Sequence, residues 1–231
     1  MNDKLAVSPA HEAALIANLE AEADLYREQL REKRADADIR EIYLAERRRA
    51  EDLATTQDYL QFHHLFYGEV RIDNVYQALT TLQAWDRLHP FCPMNITINS
   101  PGGSTVEGMH LFDEIHNYST RGGGSHFVTM TVRGYAASMA AILLQAADWR
   151  VIGRHAHLLV HEPASGARGK VGEIEDTLEW IQMVRAGVAD IFVARSGGRI
   201  TADEFRTRWT RKDWWLSATE ALEIGFVDEI G

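Results

Sequence analysis

The first 57 residues carry an apolar pattern that differs from the pattern in the rest of the chain. Apolar side chains recur there at steps of three and four residues, which is the period of one helix face. These positions are Leu15, Leu19, Ala23, Tyr26 and Leu30, followed after a gap by Ile39, Ile42 and Tyr43. Ser8 and Pro9 suit the N-cap and the first helical position. The pattern predicts a charged helix to about residue 56, whose apolar stripe needs a partner on the protein body or on a neighbouring subunit.

From Asp58 onward, short apolar runs alternate with amphipathic segments. The runs predict strands at residues 59–67, 95–99, 127–132 and 157–161. The segments between and after them predict helices at residues 74–88, 105–118, 140–146, 173–195 and 201–210. Thr201 and Glu204 have the spacing of a capping box at the start of the last helix. The alternation predicts an α/β domain at residues 58–231, preceded by a helical extension at residues 1–57.

Composition narrows the classes of function. The formal charge of -10 argues against a general nucleic-acid binder, which would present a basic surface. Cys92 is the one cysteine in 231 residues, so no intrachain disulfide can form, which suits a reducing compartment. The longest apolar run, around residues 139–144, is too short to span a bilayer. The N-terminus lacks the apolar core of a secretory signal, so we expect a cytoplasmic protein without nucleic-acid or membrane partners.

A serine stands between a predicted strand and a predicted helix, at Ser138 within residues 134–139. At a helix N-terminus the first backbone N–H groups are unpaired, and the helix dipole favours negative charge. Such a position can expose a nucleophilic hydroxyl and stabilise the oxyanion formed when it attacks a carbonyl. The alternative is that Ser138 only caps the helix. This stretch by itself leaves the two interpretations open.

A nucleophilic serine needs a base and a group that orients the base. Among the ten histidines, His161 stands at a strand end before Pro163, where a loop can open a site. Asp213 precedes two tryptophans, beside which its carboxylate is either partly buried or, as a loop aspartate, caps the following turn. Gly102 and Gly103 follow a strand and allow close approach of the backbone to a ligand, or simply form a turn. The residues alone do not choose among these candidates.

Four motifs in order give the chain a family resemblance. They are Asn-Ser-Pro-Gly-Gly at 99–103, Gly-Tyr-Ala-Ala-Ser-Met at 134–139, Val-His-Glu-Pro at 160–163 and Asp-Trp-Trp-Leu-Ser-Ala at 213–218. Together with the ending at residues 218–228, they resemble the proteolytic subunit of the Clp protease, ClpP. The similarity extends over residues 58–230. Four separated motifs in the same order are far more specific than any one of them.

The resemblance implies roles for individual residues. Ser138 would be the nucleophile, His161 the general base and Asp213 the acid that orients it. The backbone N–H groups of Gly103 and Met139 would form the oxyanion hole. The residues expected to bind substrate are Gly102, Ser104, Pro163 and Ala164. No metal and no cofactor is implied.

The family's architecture supplies further expectations. It is a crotonase-like spiral of ββα units, with a protruding "handle" helix that corresponds to residues 173–195. The Gly-rich residues 164–172 resemble the strand that lines the substrate cleft. Family members are serine endopeptidases that stack as two heptameric rings, a tetradecamer, and cleave unfolded polypeptides inside the chamber. In the family, an AAA+ unfoldase delivers unfolded polypeptides to that chamber. Arg211 and Lys212 lie in the region where the family couples the contact between rings to the geometry of the active site.

The long N-terminal extension departs from the family, whose members commonly begin with a short hairpin at the axial pore. The extension brings the docking of a standard unfoldase into question. It also suggests a divergent family member, such as a phage-type capsid-maturation protease. A structural ring subunit with a silent triad is a further alternative, which labelling of Ser138 by a fluorophosphonate would distinguish. A crotonase-type acyl-CoA enzyme is disfavoured because its usual Glu pair is not recognisable. A Ser-Lys signal-peptide peptidase is disfavoured because it needs a lysine base.

Overall fold

The computed structural model describes residues 9–56, 62–164 and 168–231, and in the first of these ranges it describes the side chains of residues 18–20 and 22–45. The chain divides into two compact units, Met1–Gln57 and Asp58–Gly231. The first unit holds one helix, α1 (Pro9–Thr56), in agreement with the predicted extension. The described apolar side chains of α1 are exposed, among them Leu19, Tyr26, Leu30, Ile39, Ile42 and Tyr43.

The second unit alternates strands and helices, as predicted. Its strands are β1 (His63–Tyr67), β2 (Met94–Ser100), β3 (Val128–Ala137), β4 (Trp149–Ile152), β5 (His157–Val160), β6 (Trp214–Ser217) and β7 (Glu229–Ile230). Its helices are α2 (Ile72–Leu88), α3 (Thr105–Tyr118), α4 (Met139–Leu144), α5 (Val171–Arg195), α6 (Ala202–Trp209) and α7 (Ala218–Glu223), with a 3-10 turn at Thr120–Gly122. The capping box of Thr201 and Glu204 is present at the start of α6.

The strands form one mixed sheet. Its main path runs β1-β2-β3-β4-β7, and all of these neighbours are parallel. Strand β5 lies off this path, parallel to β3 and antiparallel to β6. The family's α/β architecture expected from the sequence is therefore confirmed.

Strand β3 changes partners along its length, and a bulge makes this possible. Residues 129–132 pair with β4, whereas residues 135–137 pair with β5. Between them the register against β2 shifts, and Gly134 takes a φ of +82°. A Cβ at Gly134 would lie 2.7 Å from Oδ1 of Asn99, so glycine is required for the close approach of these two motifs. The bulge directs the end of β3 toward β5.

The structure differs from the predicted elements at four points. Strand β3 continues to Ala137 rather than ending at residue 132, because the bulge keeps the chain extended. Strands β4, β6 and β7 were not predicted, since each has at most four residues and shows little alternation. The predicted cleft strand at residues 164–172 lies partly outside the described residues, and its described part forms no strand. Helix α5 begins there at Val171, two residues early, because Glu173 accepts a hydrogen bond from the Lys170 N–H at 3.0 Å.

The core of the second unit encloses α4 completely. All six residues of this helix are buried, between the sheet and helices α3 and α5. In the described part of the chain, no helix is long and apolar enough to cross a membrane.

Candidate active site

Ser138 occupies a sharp turn between β3 and the buried helix α4. Its φ of +56° and ψ of -124° are unusual for a residue with a side chain. The backbone N–H of Ser138 donates to the Leu159 carbonyl on β5 at 2.9 Å, which fixes the turn to the neighbouring strand. Ser138 is the N-cap of α4, yet its side chain makes no capping hydrogen bond. The hydroxyl is therefore not consumed by the capping role that the sequence left open.

The turn at Gly102 packs directly against Ser138. A Cβ on Gly102 would lie 2.6 Å from the Ser138 Cβ and 2.9 Å from the Met139 N. Gly103 is fixed on its other side by Val70, whose N–H donates to the Gly102 carbonyl and whose carbonyl accepts the Ser104 N–H, both at 2.8 Å. The two glycines thus bring a backbone segment beside the serine that a side chain would keep away.

Met139 begins α4, so its N–H has no acceptor within the helix. Its side chain is buried against α3, where a Cβ on Gly108 would lie within 2.2 Å of the Met139 Cγ. Gly108 was not predicted to matter, because a glycine inside a helix gives no sign in the sequence of what packs on it. Gly103 and Met139, the predicted oxyanion-hole residues, therefore flank Ser138 on adjacent segments of backbone.

His161 follows the end of β5, the strand that pairs with the end of β3. Ala137 pairs with Leu159, so Ser138 and His161 lie at the same edge of the sheet. The Nε2 atom of His161 is buried and has no hydrogen-bond partner in the described residues. A buried ring nitrogen without a partner is costly, and such atoms are concentrated at functional sites.

Asp213 precedes β6, which pairs with β5 in the antiparallel direction. Val160 pairs with Trp214, so Asp213 stands opposite His161. The distance from Nδ1 of His161 to Oδ1 of Asp213 is 3.7 Å, which is too long for a hydrogen bond. The expected burial of Asp213 is wrong, since 70% of its side chain is exposed. The reason is that Trp214 turns its ring inward, toward Phe205 and Phe226, and leaves the preceding residue outside.

A cavity of about 270 Å³ lies beside these residues. Three of the predicted substrate-binding residues, Ser104, Pro163 and Ala164, line it together with Gly103. The fourth, Gly102, is buried against Ser138. The remaining lining residues are Thr105, Val106, Trp180, Ile181 and Val184, so α3 and α5 supply mostly apolar walls. In the described residues, no cluster of His, Cys, Asp or Glu has the arrangement of a metal site.

Glu162 connects the site to α5 and to the segment before Asp213. One carboxylate oxygen accepts the Arg211 N–H at 2.7 Å, and the other pairs with Arg185 at 2.7 Å. In the sequence, Glu162 is only one position of the Val-His-Glu-Pro motif, and nothing there indicates Arg185. These two residues are distant in sequence, so only the fold reveals that they meet.

A buried ionic network supports the far end of α4. Arg150 donates to Gln145, the C-cap of α4, at 2.6 Å and forms an ion pair with Asp228 at 2.6 Å. Burial disfavours the charged form of Asp228, but the hydrogen bonds and charge of Arg150 outweigh it and hold the pKa of Asp228 below its ordinary value. The helix that begins at Ser138 is therefore fixed at both ends.

Comparison with known proteins identifies relatives over most of the chain. The model of the Clp protease family matches residues 48–231. An ATP-dependent Clp protease proteolytic subunit of Bacteroides fragilis is 34% identical over 180 residues, 74% of this chain and 80% of the relative. An ATP-dependent Clp protease proteolytic subunit 1 of Chlamydia muridarum is 31% identical over 176 residues, 74% of this chain and 87% of the relative.

Proposed function

The chain belongs to the Clp protease family, and on this premise we propose that it is a serine endopeptidase that cleaves unfolded polypeptides. The observation that carries the proposal is the arrangement at one edge of the sheet. Ser138, His161 and Asp213 stand at the ends of three neighbouring strands, and the buried Nε2 of His161 has no partner among the described residues.

The proposed chemistry uses these groups in sequence. Nε2 of His161 takes the proton of Ser138 as the Ser138 oxygen attacks the peptide carbonyl. The N–H groups of Gly103 and Met139 stabilise the oxyanion. His161 returns the proton to the leaving amine, and water then hydrolyses the acyl-enzyme by the same route. Asp213 holds the imidazole with its Nδ1–H directed toward the carboxylate.

The cavity at Gly103 supports binding of a substrate side chain. Val106, Trp180, Ile181 and Val184 line it together with Gly103 and Ser104. A peptide laid along the Gly103–Ser104 backbone would place one side chain in the cavity and its carbonyl near Ser138. We propose that Gly102, Ser104, Pro163 and Ala164 bind substrate in this way.

The assembly proposal follows from family membership. We propose stacked heptameric rings in the cytoplasm, made from the domain at residues 58–231, with an AAA+ unfoldase as a candidate partner. The exposed apolar stripe of α1 supports a role for residues 1–57 as an arm that packs on a neighbouring subunit.

One observation favours a second candidate, a structural ring subunit with a silent triad. The separation of 3.7 Å between His161 and Asp213 leaves the orienting hydrogen bond unformed. Catalytic hydrogen bonds are often long in unliganded proteins, so the first proposal accommodates the same distance.

The test is peptide hydrolysis measured on fractions whose mass is determined by light scattering. We expect hydrolysis in an assembled fraction, and we expect Ser138→Ala to abolish it while leaving the particle mass unchanged. An assembled ring whose wild-type form hydrolyses no peptide would favour the structural subunit instead.

A further inference from the structure

The segment that carries Asp213 is exposed and strained, so something must hold it in place. Residues 210–213, termed here the acid loop, connect α6 to β6. Arg211 within it has a φ of +56°, a left-handed conformation that costs free energy for a residue with a side chain. Most of the Asp213 side chain is in solvent, so burial does not fix it.

Glu162 supplies one attachment for the acid loop. Its Oε2 accepts the N–H of the strained Arg211 at 2.7 Å, and its Oε1 pairs with Arg185 of α5 at 2.7 Å. Both oxygens of one carboxylate are thereby used, one on the loop and one on the helix. Because Glu162 directly follows His161, the base and this carboxylate share one backbone segment.

Arg185 supplies the second attachment. The Nη2 that pairs with Glu162 also donates to the Thr210 hydroxyl at 3.1 Å. The guanidinium lies 6.0 Å from the centre of the Trp209 ring at the end of α6. The acid loop is therefore held at two successive residues. Glu162 holds Arg211, and Arg185 holds Thr210.

We propose that Glu162 is a positioning residue, which sets the place of Asp213 relative to His161 by holding Arg211, with Arg185 as the link to α5. This inference rests on the proposed protease function. It assigns the orientation of the base to a carboxylate whose own partners are Arg211 and Arg185 rather than the imidazole. It also makes that orientation depend on the position of α5, which lines the substrate cavity through Trp180.

The first test replaces Glu162 and separates kcat from KM. Glu162→Ala removes the attachment to Arg211 and the ion pair with Arg185, and we expect kcat for a peptide to fall about 10- to 100-fold, the range found for residues that orient metal ligands through hydrogen bonds. KM stays within about twofold, because Glu162 does not line the cavity that we propose takes the substrate side chain. Glu162→Gln keeps an acceptor for the Arg211 N–H and loses the ion pair, so we expect a fall of only about threefold.

A double-mutant cycle shows whether Glu162 acts through Asp213. If it does, Glu162→Ala added to Asp213→Asn costs no more than about twofold in kcat. A general structural role would lower kcat by the same factor in both backgrounds. Asp203→Asn is the matched control, since it removes an exposed Arg206 ion pair of 3.1 Å on the adjacent helix α6. We expect this control to match the wild type.

Crystal structures of the wild type and of Glu162→Ala supply a readout that does not need activity. We expect Arg211 to leave the left-handed region and Asp213 to move by about 1 Å or more, a shift large enough to affect catalysis. An unmoved acid loop, or equal kcat losses in both backgrounds, overturns the role of Glu162. Absence of Ser138-dependent hydrolysis in the wild type overturns the protease proposal instead, and the two structures then still decide the question of Glu162.

Discussion

The nucleophile and the acid of the proposed triad are held in different ways. Ser138 lies between a strand of the central sheet and a helix that is entirely buried, and Gly102 packs on it. Asp213 is 70% exposed and lies in a loop held by surface hydrogen bonds and the pair of Glu162 with Arg185. Moving Ser138 requires repacking the core, whereas moving Asp213 requires breaking contacts worth about 1 kcal/mol each.

This contrast accounts for the open distance between His161 and Asp213. On the core side of the proposed triad, backbone contacts within a single chain fix the turn that carries Ser138. On the surface side, Asp213 lies 3.7 Å from His161, too far for a hydrogen bond. If the proposed mechanism holds, we expect changes at Asp213 to alter activity without changing the folding of the domain.

The largest expected loss of activity comes from disturbing the buried side. Gly102→Ala places a methyl group 2.6 Å from the Ser138 Cβ at a φ of +88°, so the serine turn must shift. We expect kcat/KM to fall by about 100-fold, because small misplacements of reacting groups are that costly. The measurement is peptide hydrolysis, with thermal unfolding to follow folding.

Gly123→Ala is the matched control for this change. Its φ of +92° is almost the same, but nothing lies within 4 Å of the added methyl group. It shares the backbone strain and lacks the clash, so we expect activity within about twofold of the wild type. Equal losses in the two variants would contradict a steric role for Gly102.

A smaller loss is expected at the exposed side. Asp213→Asn should lower kcat by about 30-fold, less than the 10⁴-fold effect known for a fully buried acid, since solvent also stabilises the imidazolium here. The midpoint of thermal unfolding should not change, because the side chain is mostly in water. A loss as large as that of Ser138→Ala would show that the contrast between the two sides is wrong.

The network of Arg150, Gln145 and Asp228 at the end of α4 is expected to show the opposite combination, a loss of stability with little loss of activity. Asp228→Asn leaves the buried Arg150 without its ion pair, and we expect it to lower the free energy of unfolding by about 3 kcal/mol. The folded fraction should keep kcat within about twofold, because the Asp228–Arg150 pair contacts the C-cap of α4 and none of the proposed triad residues. Urea denaturation and hydrolysis on the same preparations measure both quantities.

The same residue gives a pH dependence. The folded-state pKa of Asp228 lies below its ordinary value of 3.8, so its stabilising contribution is fully present above that pH. It disappears as the pH falls through the lower folded-state pKa. The wild type should therefore lose more stability than Asp228→Asn under acid conditions, and parallel curves would contradict this assignment.

The smallest effect on chemistry is expected from the N-terminal unit. Removal of residues 1–47 deletes only sequence that precedes the family match. Reactivity at Ser138 should stay within about twofold, because neither side of the triad uses these residues. Light scattering on the same sample tests the arm, and an unchanged particle mass would exclude a role for residues 1–47 in holding the assembly together.

Much of this architecture was predictable from the sequence. The 3.6-residue period marked α1, and turn residues separated most strands from the helices that follow. Ser138 stood out because a strand and a helix flank it directly. The roles of His161 and Asp213 followed from the order of the four motifs. The sequence contains many other histidines and carboxylates that could serve equally well as the base and the orienting acid.

What the sequence could not supply depends on contacts between distant segments. The bulge at Gly134 is recognisable only once Asn99 is seen beside it. The acid loop looked like a capped turn near tryptophans, and its exposure follows from which ring points inward. Glu162 follows β5 and meets Arg185 of α5 only in the folded chain, and no local pattern encodes that meeting.

The most direct test of the account is to react the protein with a fluorophosphonate and locate the adduct by mass spectrometry. We predict one adduct, on Ser138, that is absent from Ser138→Ala and forms more slowly in His161→Ala. An assembled protein that carries no adduct, or an adduct on a different serine, would contradict the claim that the turn between β3 and α4 holds an activated nucleophile.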